Sequence, residues 1–192
     1  KISQKQLLFE DRHLERLTKV SRYFAYPFDA EDLKQKIEGE CQACDANQDY
    51  RLRISLNKSG EIELSRQILT PLSPKFCQAK LCLQEVDLQQ AFTYFKTTHR
   101  PHLSLGKQEI IYHNAAGELL ETSIGNLVLK INGKLYTPPI GQGILPGIYR
   151  QHLLETGQVE EKVLTLADLN QAETIYGCNA VRKLYELEVN SK

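Results

Sequence analysis

A chain of 192 residues with 41% hydrophobic and 25% charged side chains has an ordinary globular composition, enough for one large domain or two small ones. Its 24 basic and 24 acidic residues cancel, which argues against a broad nucleic-acid surface while leaving room for a local basic pocket. No apolar run approaches the ~20 residues that span a bilayer and no signal peptide is visible, so a cytoplasmic protein is expected.

In chain order, Leu14, Leu17, Val20 and Phe24 recur at helical spacing and predict a helix over 13–24. AYPFD interrupts it, and Asp29 is placed to cap a second helix whose inward face is Leu33, Ile37, Cys41 and Cys44. Tyr50, Leu52, Ile54 and Leu56 then alternate with polar residues before NKSG turns the chain into Ile62 and Leu64, the pattern of a β-hairpin. Another extended segment is expected over 76–83, ahead of a short segment ending in FKTTHRP. Beyond it EIIYHN (109–114), NLVLKI (126–131) and KLYT (134–137) read as strands, the last two joined through Asn132-Gly133. Pro146 opens a helix that runs to Glu155, and a shorter one begins at Thr165 with Leu166 and Leu169 inward. TIYGCNAV returns to extended chain. These elements divide into two α/β lobes near residues 90–96, a smaller one over 1–95 and a larger one over 96–192.

Five cysteines (Cys41, Cys44, Cys77, Cys82 and Cys178) are an odd number without a secretory signal and read as reduced thiols. Cys41 and Cys44 form a CxxC that Cys77 and Cys82 could complete as a zinc site, the basis of an alternative reading as a non-catalytic binding domain. The second pair is loosely spaced, however, and the first continues the apolar stripe of Leu33 and Ile37, so core thiols and no metal are expected. The chain starts at Lys and has neither Met nor Trp, which suggests a processed fragment or residues missing from the string.

Three polar features stand out in the second half. Lys96 is flanked by Phe95 and two threonines in YFKTTHR; an isolated lysine is usually a surface residue, but a desolvated one near other cations becomes a nucleophile. Glu121 ends an apolar segment in LLETSIGN, where a solvent-facing strand end is the ordinary reading. Gly147 and Ile148, in GILPGIYR, stand at the start of a helix, where free N–H groups suit a phosphate.

Together these stretches resemble a known family. E-x-S-x-x-N, TPP, GILPGIYR and the late CNAVR look like the C-terminal half of the fold-type IV pyridoxal 5′-phosphate (PLP) enzymes, the class IV aminotransferases and aminodeoxychorismate lyases. HLERL and SRYFAYPFD match the family's N-terminal helix, and the likeness is greatest to lyase-like domains fused to component I of para-aminobenzoate synthase. The resemblance implies an α/β (α+β), two-lobed fold like that of D-amino-acid aminotransferase, and a homodimer. It also implies that Lys96 binds PLP covalently, that Glu121 keeps the pyridine nitrogen protonated, and that Asn126 of the E-x-S-x-x-N motif is a further cofactor-binding residue. Arg16 of HLERL, the N–H groups of Gly147 and Ile148, and the Asn179-Ala180 turn would surround the phosphate. The implied reaction converts 4-amino-4-deoxychorismate to 4-aminobenzoate and pyruvate, in folate synthesis, beside or fused to a synthase component. The runner-up is an aminotransferase acting on branched-chain or D-amino acids.

Three departures accompany the resemblance. The family's opening segment before HLERL is expected to be truncated, RPHLSLG puts Leu103 where a tyrosine is usual, and the span from Lys96 to Glu121 is short. Missing residues account for all three; without them the chain would be a degenerate PLP binder or an inactive homologue.

Overall fold

Asp29 sets the start of the second helix, its carboxylate accepting from the N–H groups of Glu31 at 2.9 Å and Asp32 at 3.1 Å. The computed structural model describes residues 1–100, 103 and 106–189, and these fall into two units, Lys1–Pro71 and Leu72–Lys192.

In the first unit, strands β1 (Ile2–Ser3), β2 (Gln6–Leu7), β3 (Tyr50–Leu56) and β4 (Ile62–Ile68) form an antiparallel sheet in the order β2-β1-β3-β4. Helices α1 (Glu10–Tyr23) and α2 (Ala30–Gln42) contribute Leu14, Leu33, Ile37 and Cys41 to a core that also buries Ile2, Leu7, Cys44 and Ile62. The β3–β4 hairpin has the expected register, from Tyr50 opposite Ile68 to Leu56 opposite Ile62. Asn57 holds its turn by accepting from the N–H groups of Ser59 and Glu61. Helix α1 starts earlier than its apolar repeat, at Glu10-Asp11, whose charges suit a helix N-terminus.

The second unit contains α3 (Pro74–Cys77), β5 (Gln78–Leu83), α4 (Ala91–Tyr94), β6 (Ile110–His113), β7 (Leu119–Thr122), β8 (Asn126–Ile131) and β9 (Lys134–Thr137). These are followed by α5 (Ile148–Glu155), β10 (Glu160–Glu161), α6 (Leu166–Gln171), β11 (Thr174–Asn179) and β12 (Lys183–Val189). The strand order is β10-β9-β8-β11-β12-β5-β6-β7, and a further β7–β8 pairing joins the ends of the run from β8 to β7 into a closed ring. Ile111, Leu119, Leu127, Leu129, Leu164 and Leu187 fill its core.

The division between the units is not where the sequence pattern placed it. It falls after Pro71, because β5 pairs in parallel with β6 on one side and β12 on the other and so belongs with the second half. Parallel pairing leaves no local turn signature to mark such a strand. Strand β7 also lacked a signal, since all four of its residues are buried and no alternation survives. Asn132 (φ 51°) and Gly133 (φ 75°) form the expected hairpin turn. Helix α5 begins at Ile148, with Gly147 still extended before it. Among the described residues no helix is long and apolar enough to cross a membrane.

Candidate active site

Glu121 lies on β7 opposite Asn126 on β8, across a turn closed by a 2.8 Å hydrogen bond from Thr122 N–H to the Gly125 carbonyl. The turn sits hard against β11: a Cβ on Gly125 would stand 2.5 Å from the Cys178 carbonyl oxygen. Glu121 therefore points away from water, with 3% of its side chain exposed. Burial pushes its carboxyl up from the ordinary range, opposed by the Arg100 guanidinium, the Leu145 N–H and the charge of Lys96. Arg100 Nη2 donates to Glu121 Oε1 at 2.8 Å. Lys96 follows α4 on the segment that carries Arg100, near enough for its charge to act on Glu121.

Asn126 is a strut between the hairpin and the start of α5. Its Nδ2 donates to the Leu145 carbonyl at 2.8 Å, and its Oδ1 occupies the space a side chain on Gly147 would need. Gly147 is the N-cap of α5, and no side chain caps that end. The first-turn N–H groups, Ile148's among them, thus have no intrahelical acceptor and form an anion-accepting end. Arg150, one turn on, is buried and donates to the Pro138 carbonyl at 2.7 Å and to Glu161, fixing α5 against the TPP segment.

Asn179, at the end of β11, accepts through Oδ1 from the N–H groups of Val181 at 3.0 Å and Arg182 at 2.8 Å, shaping the turn that contains Ala180. Its Nδ2 reaches the Ile124 carbonyl at 3.3 Å. The structure thus gathers Lys96, Glu121, Asn126, Gly147, Ile148, Asn179 and Ala180 around one hairpin of the second unit. Arg16 is on α1 in the first unit, Nη2 3.4 Å from His13 Nδ1; burial lowers its guanidinium to about 10, still charged at neutral pH.

Two residues escaped the sequence reading. Arg100 stands in the KTTHR motif, and a cation so close to the lysine was the available hint. Glu109 gave none: ahead of an apolar strand it looked like a boundary charge, yet it is fully buried. It accepts from Ser123 Oγ and, at 3.0 Å, from Tyr185 Oη, and burial raises its carboxyl and the Tyr185 hydroxyl alike. Gly177 leaves room for that tyrosine, since a Cβ there would lie 2.3 Å from its ring.

Cys41 and Cys44 are core residues, and among the described residues no group of three or more His, Cys, Asp or Glu is arranged for a metal. Burial pushes the Cys178 thiol up to about 12, which makes it inert. Of the unusual RPHLSLG stretch, Pro101, His102, Ser104 and Leu105 lie outside the described residues, while Leu103 packs with Tyr112, Leu120 and Ile144.

An amine, a buried carboxylate and an open helix start fit a lysine-linked pyridine cofactor carrying a phosphate. The sequence model of the amino-transferase class IV family matches residues 1–187. A putative aminodeoxychorismate lyase of Schizosaccharomyces pombe is 30% identical over 95 residues, 47% of this chain and 41% of that one. A probable branched-chain-amino-acid aminotransferase of Thermotoga maritima is 32% identical over 108 residues, 47% of this chain and 40% of that one. The matches thus span well under half the length of both relatives. Among solved structures, a putative amino-acid aminotransferase from Mesorhizobium loti superposes with a TM-score of 0.78 at 26% identity, over 93% of this chain and 90% of that one.

Proposed function

The chain belongs to the amino-transferase class IV family, whose cofactor is PLP, and we propose that it is a lyase converting 4-amino-4-deoxychorismate to 4-aminobenzoate and pyruvate. The observation that carries the PLP part of this reading is Glu121, a carboxylate held out of water within reach of the charge of Lys96. When bound, the cofactor supplies an electron sink for charge that develops beside the substrate nitrogen.

Glu121 would accept a hydrogen bond from the protonated ring nitrogen and so keep that sink open. Lys96 Nζ would hold the cofactor covalently and, when freed by the substrate amine, would be the base placed to move a proton from the substrate ring carbon. Gly147 and Ile148 would offer N–H groups to the phosphate, the Asn179-Ala180 turn would close the cup, and Arg16 would add a charge-assisted contact. Asn126 keeps the Leu145–Ile148 segment in place and so acts through it. Loss of pyruvate leaves an aromatic ring, so the late step runs downhill and the side chains mainly orient and move protons.

The KTTHR likeness and the lyase name of the S. pombe relative support the lyase, and the T. maritima relative supports transamination with a branched-chain amino acid as the second reading. The proposal includes a homodimer, in keeping with Leu81 and Leu83 exposed on β5, and a synthase component, fused or separate, that supplies the substrate. The test is to generate the lyase substrate in place with a synthase and follow pyruvate, while a panel of L- and D-amino acids with 2-oxoglutarate is followed for keto acids. Pyruvate release faster than any transamination is expected; strong transamination without pyruvate would reverse the two readings.

A further inference from the structure

Arg100 forms an ion pair with Glu121, Nη2 to Oε1 at 2.8 Å. The pair is nearly dry, with 11% of the arginine and 3% of the glutamate side chain exposed. A carboxylate without water and without a cation beside it takes up a proton, and a neutral acid is a poor partner for a pyridinium. Lys96, the other cation whose charge acts on Glu121, would be taken up by the cofactor in the reading above and so is not a standing counter-ion.

The segment bearing Arg100 is also tethered at short range. Thr97 Oγ1 donates to the His99 carbonyl at 2.8 Å, His99 packs edge-on against Phe92 at 5.0 Å, and Leu103 N–H donates to the Arg100 carbonyl at 3.1 Å. Short-range contacts thus flank the guanidinium that reaches Glu121 on β7.

We propose that Arg100 is a positioning residue, the standing counter-ion that keeps Glu121 charged and fixed through Oε1 while the carboxylate receives the protonated ring nitrogen of the cofactor. The proposal rests on the PLP reading of this site and adds a residue to it. Its signature is dependence on the ring nitrogen, which separates it from a merely structural role.

The experiment compares binding of PLP and of its carbocyclic analogue, in which C–H replaces the ring nitrogen, to the full chain and to Arg100→Gln, Arg100→Lys and Glu121→Gln. Binding is read by equilibrium titration of absorbance. Wild type should prefer PLP by about ten- to a hundred-fold, the scale of one charge-assisted hydrogen bond. Arg100→Gln should erase that preference by weakening PLP while changing the analogue little, Glu121→Gln should do the same, and Arg100→Lys should restore part of it. Equal weakening of both compounds in Arg100→Gln would show that Arg100 only holds its loop, and tighter PLP binding would make it a competitor for Glu121; either overturns the proposal. Unchanged binding in Arg100→Gln, with wild type still preferring PLP, overturns it too and leaves the PLP reading standing. A wild-type chain that binds neither compound brings down that reading and the proposal together.

Discussion

Replacing Gly147 by alanine isolates the strut that links the Glu121 hairpin to α5. The backbone there is extended, φ −72° and ψ 137°, which any residue adopts, so the glycine is required for space alone. A Cβ would lie 1.9 Å from Asn126 Oδ1 and 3.2 Å from its Cγ, while Arg150 Cβ at 3.7 Å is an ordinary contact. Asn126 is itself buried, so its amide must swing away and give up the 2.8 Å bond to the Leu145 carbonyl. Overpacking and an abandoned buried hydrogen bond each cost about 1–3 kcal/mol, and together roughly 2–4 kcal/mol once the shift relaxes part of the overlap. For a chain of this size that lowers the melting temperature by roughly 5–15 °C. The assay is thermal unfolding of wild type, Gly147→Ala, Asn126→Ala and the double variant. In the Asn126→Ala background the second substitution should cost almost nothing, because its obstacle is gone. A Gly147→Ala protein that melts like wild type, or a penalty equally large in both backgrounds, would refute the reasoning.

Borohydride reduction of the PLP-loaded protein followed by peptide mapping should place the pyridoxyl group on Lys96; a label on Lys80 or Lys107 would discard the assignment. Arg16→Ala should weaken PLP affinity more than it slows turnover at saturating cofactor, by about ten- to a hundred-fold if a charge-assisted contact is lost. An unchanged affinity would remove Arg16 from the phosphate site. Burial raises the Glu109 carboxyl in the folded state, so the neutral form favours folding: that contribution is complete below the unfolded value of about 4.5 and is lost as pH rises through the higher folded value. The melting temperature of wild type should therefore fall relative to Glu109→Gln as pH climbs from the acid range to neutrality; a difference that stays flat would mean that Glu109 does not titrate there.

What could be read without coordinates shares one physical property: the interacting groups are close in sequence. Asp29 meets the N–H groups of Glu31 and Asp32, Thr165 and Asp168 satisfy each other's backbone at the start of α6, and Asn132-Gly133 turns β8 into β9. Short-range chemistry of this kind writes itself into residue type and spacing, and α2, α6 and both hairpins followed from it. The candidate site was legible chiefly because its motifs resemble a family; by spacing alone Glu121 looked like a solvent-facing strand end. Only the tertiary structure decided that it is buried, in a hairpin that β11 flanks at Gly125 and that Arg100 reaches from another segment. The same holds for β5, whose partners β6 and β12 lie far apart in sequence, and for Glu109, whose buried network includes Tyr185 from the far end of the chain. Each of these turns on which distant strands become neighbours when the sheet closes, and a pairing between distant segments leaves no periodicity in either one.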